Sequence, residues 1–579
     1  MTGGGTVRWW QTRRFVVAMA LLAMVPLLWP AIPPLVDLPG HMGRYRVQLD
    51  LHRYGWLGDW YNFQWALIGN LGVDLLVEIF GPLLGLELTV KLVVLAIPPL
   101  IVVGLLWIAR EVHGRIPATA LFALPIAYCF PFQFGFVNFE LSMALALPAF
   151  AWWLRLARQG RMRFRAAMFV PLSCALWVCH TFGWGVLGVL AFSAEMVREH
   201  DRIKRDELGE EAAAQQFGPI SRDGARRWAL AWFRGGLHCL PLILPLFLMV
   251  AWRSGDHVTG QTGDWFNWRA KITWLTMMLR DRWMAFDIAS VAVMALVLYK
   301  AFRDPAIEYS RNLGLSALFL LAVFVFLPRI VFGSAYADMR LAPFMLAIAI
   351  IAIRPRAGFA ALDALAARHP GLDADQLRDL AQARRRRTMA QLAVLGLVFV
   401  VVRTAATTVS FLQFAQVYDR QLKALDQVPV GARLVSFVGH DCNVDWKMSR
   451  LEHFPALALE RRLAYTNDQW SMPGAQLLTT RYYAAARFSH DPSQIVTESQ
   501  CAREWWRPID RSLALFPRAA FDYVWLIQPP PYHIRYASDL TPVWQDGTSM
   551  LFKVTHIEVV PESRRSDFPI PPRATVPLY

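Results

Sequence analysis

From Pro33 to Arg46 the chain reads PPLVDLPGHMGRYR, placing a carboxylate (Asp37), an imidazole (His41) and two guanidinium groups (Arg44 and Arg46) close together. A carboxylate beside a cavity can take a proton from a hydroxyl group. An arginine can hold a phosphate through parallel hydrogen bonds and neutralise it as it leaves. The stretch follows directly on the first long apolar run, residues 15–28, and charged groups beside lipid are costly unless they are paired or used. The same residues also fit an interfacial loop that anchors the first helix, where Pro-Gly turns and flanking arginines are common.

Four more polar segments interrupt the apolar runs. Residues 133–140, QFGFVNFE, put Asn138 and Glu140 at the start of an apolar helix, where they can cap it or contact a substrate. His180 stands in the break HTFGWG, either as a core histidine bonded to a neighbouring carbonyl or as a cavity group. Residues 252–282 carry Arg253, Asp256, His257, Asp264, Arg269 and Lys271 among tryptophans. Residues 333–343 contain Asp338 and Arg340, which can pair with each other, pair with Asp37, or bind an anion.

Elements must bring these segments together. Of the 579 residues, 55% are hydrophobic and only 18% charged, and the charges cluster between long apolar runs; a soluble chain carries roughly a quarter charged residues. The composition indicates an α-helical polytopic membrane protein. Spanning runs are expected at 15–28, 90–108, 118–130, 141–154, 166–196, 228–250, 288–301, 313–330, 341–353 and 392–410. A span takes about 20 residues, so 166–196 is divided at His180, giving about 11 transmembrane helices. Residues 63–84 look apolar but contain Asn70, Asp74 and Glu78. As interfacial or re-entrant helices within a first external loop, 33–89, they leave the basic segments 110–115, 155–165, 198–227, 300–311 and 354–387 all in the cytoplasm, as the positive-inside rule requires. The net charge of +15 is then topological and calls for no nucleic acid. The N-terminal run ends in WPAIPP without a small-x-small site, so it reads as a retained helix with a cytoplasmic N-terminus.

The transmembrane part is expected over 1–413. Residues 414–579 change character and predict an external α/β domain with strands at 432–438, 523–527 and 550–554. Its two cysteines, Cys442 and Cys501, either form a disulfide in an oxidising compartment or stay apart. The Asp373-Ala374-Asp375 sequence matches a metal-binding DxD, but it lies in a charged helical stretch, 372–387, that suits a helix on anionic lipid. No nucleotide-binding glycine loop and no zinc-type cysteine spacing occurs.

An acid just after the first span, helices lying in the first external loop, about eleven spans and an external C-terminal domain together resemble the GT-C membrane glycosyltransferases, such as aminoarabinose transferases and protein O-mannosyltransferases. The resemblance implies inverting transfer of a hexosyl or pentosyl group from a polyprenyl-phosphate-linked donor to a lipid, glycan or protein acceptor at the periplasmic face of a bacterial inner membrane. By position the base is Asp37. His41 either orients Asp37 or contacts the acceptor, Arg340 or Arg44 binds the donor phosphate, and Asn138, Glu140, His180 and Asp338 line the pocket. Relatives with two adjacent acids differ, because Leu38, Pro39, Gly40 and His41 follow Asp37 here; no cofactor is implied with certainty and a divalent metal stays open. The rival readings are a transporter or lipid flippase, which predicts charges deep in several helices and an internal repeat, an external acyl or phospho-group transferase, and a scaffold whose external domain binds a partner.

Overall fold

The computed structural model describes residues 7–213, 222–253, 261–304, 307–331, 333–356, 371, 373–442, 446–472, 476–498 and 507–555. Helices dominate up to residue 422. In order they are α1 (Arg13–Leu28), α2 (Leu38–Asp50), α3 (Gly55–Trp60), α4 (Gly72–Leu84), α5 (Leu86–His113), α6 (Phe130–Phe134), α7 (Val137–Arg158), α8 (Met162–Cys179), α9 (Thr181–Ala213), α10 (Arg222–His238), α11 (Leu244–Arg253), α12 (Trp268–Thr276), α13 (Met284–Arg303), α14 (Arg311–Phe326), α15 (Ala337–Ile351) and α16 (Ala374–Leu422).

Five of the described helices are long and apolar enough to cross a membrane: Leu86–His113, Val137–Arg158, Met162–Cys179, Met284–Arg303 and Ala374–Gln427. The pair Arg222–His238 and Leu240–Ala251, bent by 49°, makes a sixth if it is one span. Large apolar side chains such as Leu92, Leu296, Phe302, Leu318, Val394 and Val398 point outward from this part. Apolar side chains facing outward from helices of spanning length suit lipid rather than water, which is the pattern of a membrane-embedded protein. Several of the eleven expected runs are not helices of spanning length. Residues 118–128 form a 3₁₀ helix in which every residue is buried, and α1, α14 and α15 have 16, 16 and 15 residues.

Two breaks follow directly from residue type. The 166–196 run divides at His180, between α8 and α9. In the first loop, α4 has only 13 residues, about 20 Å at 1.5 Å per residue. The charged stretch expected to lie as a separate helix on lipid instead runs straight into the last span as the 49-residue α16, because no proline or early glycine interrupts it. Asp373, the first acid of the DxD, caps that helix, accepting from the N–H groups of Asp375 and Gln376 at 3.0 and 2.8 Å.

Short strands interleave with the helices: β1 (Tyr61–Phe63), β2 (Ile307–Tyr309) and β3 (Ile353–Pro355). Beyond α16 come β4 (Leu434–Gly439), α17 (Ala456–Arg462), β5 (Leu478–Thr480), β6 (Ile495–Thr497), β7 (Arg507–Pro508), α18 (Ile509–Leu515), β8 (Tyr523–Ile527), β9 (Leu540–Asp546) and β10 (Ser549–Val554). The C-terminal sheet has the order β7-β6-β4-β8-β10-β9, parallel from β7 to β8 and antiparallel through β10 and β9. The central strands are near-continuous apolar runs, as strands covered on both faces must be. Side-chain alternation then sends Leu434, Val438, Tyr523, Trp525 and Ile527 into a core shared with the helical part, while Val435, Phe437, Val524 and Leu526 join a second core on the outer face. The C-terminal part is also stitched to the first loop by a separate two-stranded sheet, in which β1 pairs antiparallel with β5. Cys442 is disulfide-bonded, the four cysteines of the helical part are free, and Cys501 lies outside the described residues.

Candidate active site

A cavity of about 760 Å³ lies where the helical part meets the C-terminal sheet, and both contribute walls. Asp37, His41, Asn138, His180 and Arg340 line it from the helical side, and His440, Glu452, His453, Trp470 and Asp491 from the C-terminal side.

Asp37 is the N-cap residue of α2, but its side chain caps nothing. The backbone is held instead: Asp37 N–H donates to the Phe134 carbonyl at 2.9 Å, and His41 N–H donates to the Asp37 carbonyl at 3.0 Å. Among the described residues the carboxylate has no hydrogen-bond or ion-pair partner, although only 8% of the residue is exposed. Burial pushes its pKa up to about 7, and the charges of His453 and Arg340 hold it from rising further, against Glu452 and Asp491. Such a carboxylate loses its proton near neutrality and has lone pairs to spare.

The close approach of residues 133–136 to Asp37 depends on Gly135. Its φ is 98°, and a Cβ there would lie 2.8 Å from the Asp37 nitrogen. The Gly135→Ala variant is expected to lose about 1–2 kcal/mol from the positive φ alone. It should lose more activity than that stability change explains, since the added methyl displaces Asp37. Thermal unfolding and turnover, compared on the same preparation, check this. On the opposite side, Gly40 lets α2 lie against the C-terminal segment: a Cβ would meet the Trp470 ring at 2.8 Å.

Arg340 lies at the start of α15 and is 8% exposed. Its guanidinium packs 4.2 Å from the centre of the Phe136 ring, one terminal nitrogen donates to Ser334 at 3.3 Å, and Nε has no hydrogen-bond partner among the described residues. This leaves donors for an anion in the cavity. Arg280, Arg329 and Lys447 add positive charge to the same lining, with Arg329 ion-paired to Asp264.

The remaining expected residues divide. His180 faces the cavity, and its Nδ1 accepts from Phe182 N–H at 3.2 Å, so the neutral ring carries its proton on Nε2. Asn138 reaches the lining but its amide is consumed: Oδ1 accepts from Val73 N–H at 2.6 Å, and Nδ2 donates to the Asn70 carbonyl and to Asp74, each at 3.0 Å. Arg44, Glu140 and Asp338 are not on the cavity wall. Arg44 is buried against Asp74 at 2.8 Å, a structural pair rather than a phosphate clamp. Glu140 accepts from the Cys129 thiol at 3.2 Å inside the bundle. Asp338 pairs with neither Arg340 nor Asp37; it meets Lys271 at 3.2 Å, and Lys271 also donates to the carbonyls of Phe324 and Leu327, tying α12, α14 and α15 together. Asp256 and His257 lie outside the described residues.

His41 lies between Tyr45 and Trp470, with ring centres at 6.2 and 5.0 Å. Burial, with the charges of Arg44 and His453, holds its pKa well below the usual histidine value, so at neutral pH it is an uncharged wall group.

The C-terminal contributions are absent from the sequence-based site. Residues 449–453, SRLEH, again place an arginine, an acid and an imidazole side by side, and that recurrence of the Asp37–His41 residue types is the signal that could have found them. His440 Nε2 meets Glu452 at 2.9 Å. His453 Nδ1 donates to the Asp468 carbonyl at 3.0 Å, and its Nε2 lies 3.9 Å from Asp491. Among the described residues no group of three or more His, Cys, Asp and Glu is arranged to hold a metal ion. In comparison with known proteins, the chain matches no family model and no curated sequence.

Proposed function

We propose that the protein is an integral membrane glycosyltransferase of GT-C type, with about eleven crossings in all, that moves a sugar from a polyprenyl-phosphate donor to a lipid, glycan or protein acceptor. In this reading the cavity opens at the periplasmic face of a bacterial inner membrane, the N-terminus is cytoplasmic and the C-terminal sheet is periplasmic. The observation that carries it is a buried carboxylate, Asp37, with no hydrogen-bond or ion-pair partner among the described residues, facing the same cavity as a buried arginine, Arg340, whose Nε is likewise without one.

The chemistry balances with these two groups. Asp37 takes the proton of the acceptor hydroxyl as the acceptor oxygen attacks the anomeric carbon. The bond from that carbon to the donor phosphate oxygen breaks, its electron pair stays on the phosphate, and Arg340 receives the charge. Attack from the side opposite the leaving phosphate inverts the anomeric centre. His180 offers an Nε2–H donor to a sugar hydroxyl, and Trp470 an apolar ring to a sugar face.

Native mass spectrometry of gently purified protein tests the donor class. Wild type is expected to carry a polyprenyl phosphate or its sugar adduct, and Arg340→Ala to lose it while remaining folded. Ordinary phospholipid alone in both, with no transfer from added polyprenyl-phosphate sugar, would overturn the reading.

A further inference from the structure

We propose that His453, contributed by the C-terminal sheet part, is the counter-cation of Asp37: an imidazolium held across the cavity that keeps the carboxylate ionised and ready for a proton. It is a positioning residue, acting on the acceptor only through Asp37, and the inference rests on the reading of Asp37 as the base.

The geometry fixes the tautomer of the ring. A backbone carbonyl can only accept, so the 3.0 Å contact to the Asp468 carbonyl places a proton on His453 Nδ1. Nε2 then faces the cavity and Asp491 at 3.9 Å, where a second proton makes the ring a cation. The position is rigid: the ring packs 4.3 Å from Trp470, and His453 Cβ lies 3.2 Å from where a Gly40 Cβ would stand, one helical turn from Asp37. The groups that face the pair come from every wall. Asp491, Asp468 and Glu452 lie on the C-terminal side with His440, which is bonded to Glu452; His41 and Arg340 lie on the helical side. Burial alone would discharge the imidazolium, but Asp491, Asp37, Asp468 and Glu452 together hold its pKa above the usual value. Reciprocally, among the charged neighbours that favour ionised Asp37, His453 acts more strongly than Arg340.

Chemical labelling of the full-length protein reads each partner without requiring sugar transfer. A hydrophobic carbodiimide modifies protonated carboxyl groups, and peptide mass spectrometry locates the adduct. In wild type the labelling of Asp37 is expected to fall with a midpoint near neutrality, and in His453→Gln the midpoint should move up by about one pH unit, the usual effect of losing an adjacent opposite charge. Linkage requires the converse: in Asp37→Asn, which removes no bond, acylation of His453 by diethylpyrocarbonate should begin at lower pH than in wild type. This second arm stands even if His453→Gln fails to fold. Unmoved midpoints in both arms, or an Asp37 that never labels between about pH 5 and 9, overturn the pairing. If both midpoints move but no preparation transfers sugar, the pairing holds and the glycosyltransferase reading falls.

Discussion

Asp37→Asn is expected to reduce sugar transfer by about 10²–10⁴-fold, the usual contribution of a positioned acid–base group, while the protein stays folded. The asparagine amide matches the carboxylate in shape but cannot take up the acceptor proton. Because the Asp37 side chain makes no hydrogen bond among the described residues, the substitution breaks none. The sign of the stability change follows from linkage. The folded-state pKa is raised from 3.8 to about 7, so between these values the folded state binds more protons than the unfolded chain, and stability falls as pH rises through that window. Asparagine has no such charge to bury, so above about pH 7 the variant should unfold no earlier than wild type, and later if the ionised carboxylate is costly there. In wild type the base must be ionised, so turnover should drop as pH falls below about 7 even though the fold gains stability in the same direction. Turnover and thermal unfolding measured across pH check both halves. A folded Asp37→Asn with full turnover would remove Asp37 from the chemistry.

What the sequence made legible is what single residues decide locally. The His180 break, the short helices of the first loop and the three predicted strands come from polar interruptions, proline and glycine, or apolar runs bounded by turns, and each is present. Asp37 stood out because a carboxylate beside a span is expensive. Arg44 in the same stretch, Asp74 and Glu78 in the apolar run 63–84, and Asn138 at a helix start were marked as well, and there the answer is different. Arg44 meets Asp74 at 2.8 Å, Asn138 donates to Asp74 at 3.0 Å, and Gln48 donates to Glu78 at 2.8 Å. The awkward polar residues of residues 63–84 are partners for the awkward polar residues elsewhere. Type and spacing within one segment reveal that a charge needs an explanation, but not which distant residue supplies it. The C-terminal wall was hidden for a related reason. In a polar, water-compatible stretch an acid beside a histidine carries no cost, so the one local mark of Glu452 and His453 is that they repeat the residue types of Asp37–His41. Long-range contacts bring them to Asp37, among them the pairing of β1 with β5, the packing of α2 against α17 and the bonds of Arg450.

That dependence on tertiary contact makes Arg450 the residue whose loss should matter most for the assembly of the site. It is 1% exposed. Its guanidinium donates to the Pro34 carbonyl, to Gln133 at 2.7 Å and to Asp281 at 2.7 Å, binding the C-terminal segment to the loops on either side of Asp37. Asp281 also accepts from Ser410 of α16 at 2.8 Å. Next to it Asp287 is held by Arg403 at 2.7 Å and Trp446 at 2.8 Å. Arg450→Ala strands a buried carboxylate, for which the expected loss is about 3–5 kcal/mol, well above that of a surface ion pair. Most of it should be the cost of the orphaned Asp281 rather than the worth of the bond. Adding Asp281→Asn to Arg450→Met should therefore cost less than the two single changes added together, measured by chemical or thermal unfolding in one detergent. Function separates this clamp from the His453 pairing. Where the Arg450 variant still folds, turnover should fall by the same factor at every pH, because both walls shift while the Asp37–His453 pair keeps its charges. A profile whose acid limb moves with Arg450 would instead make the arginine part of the electrostatics of the base.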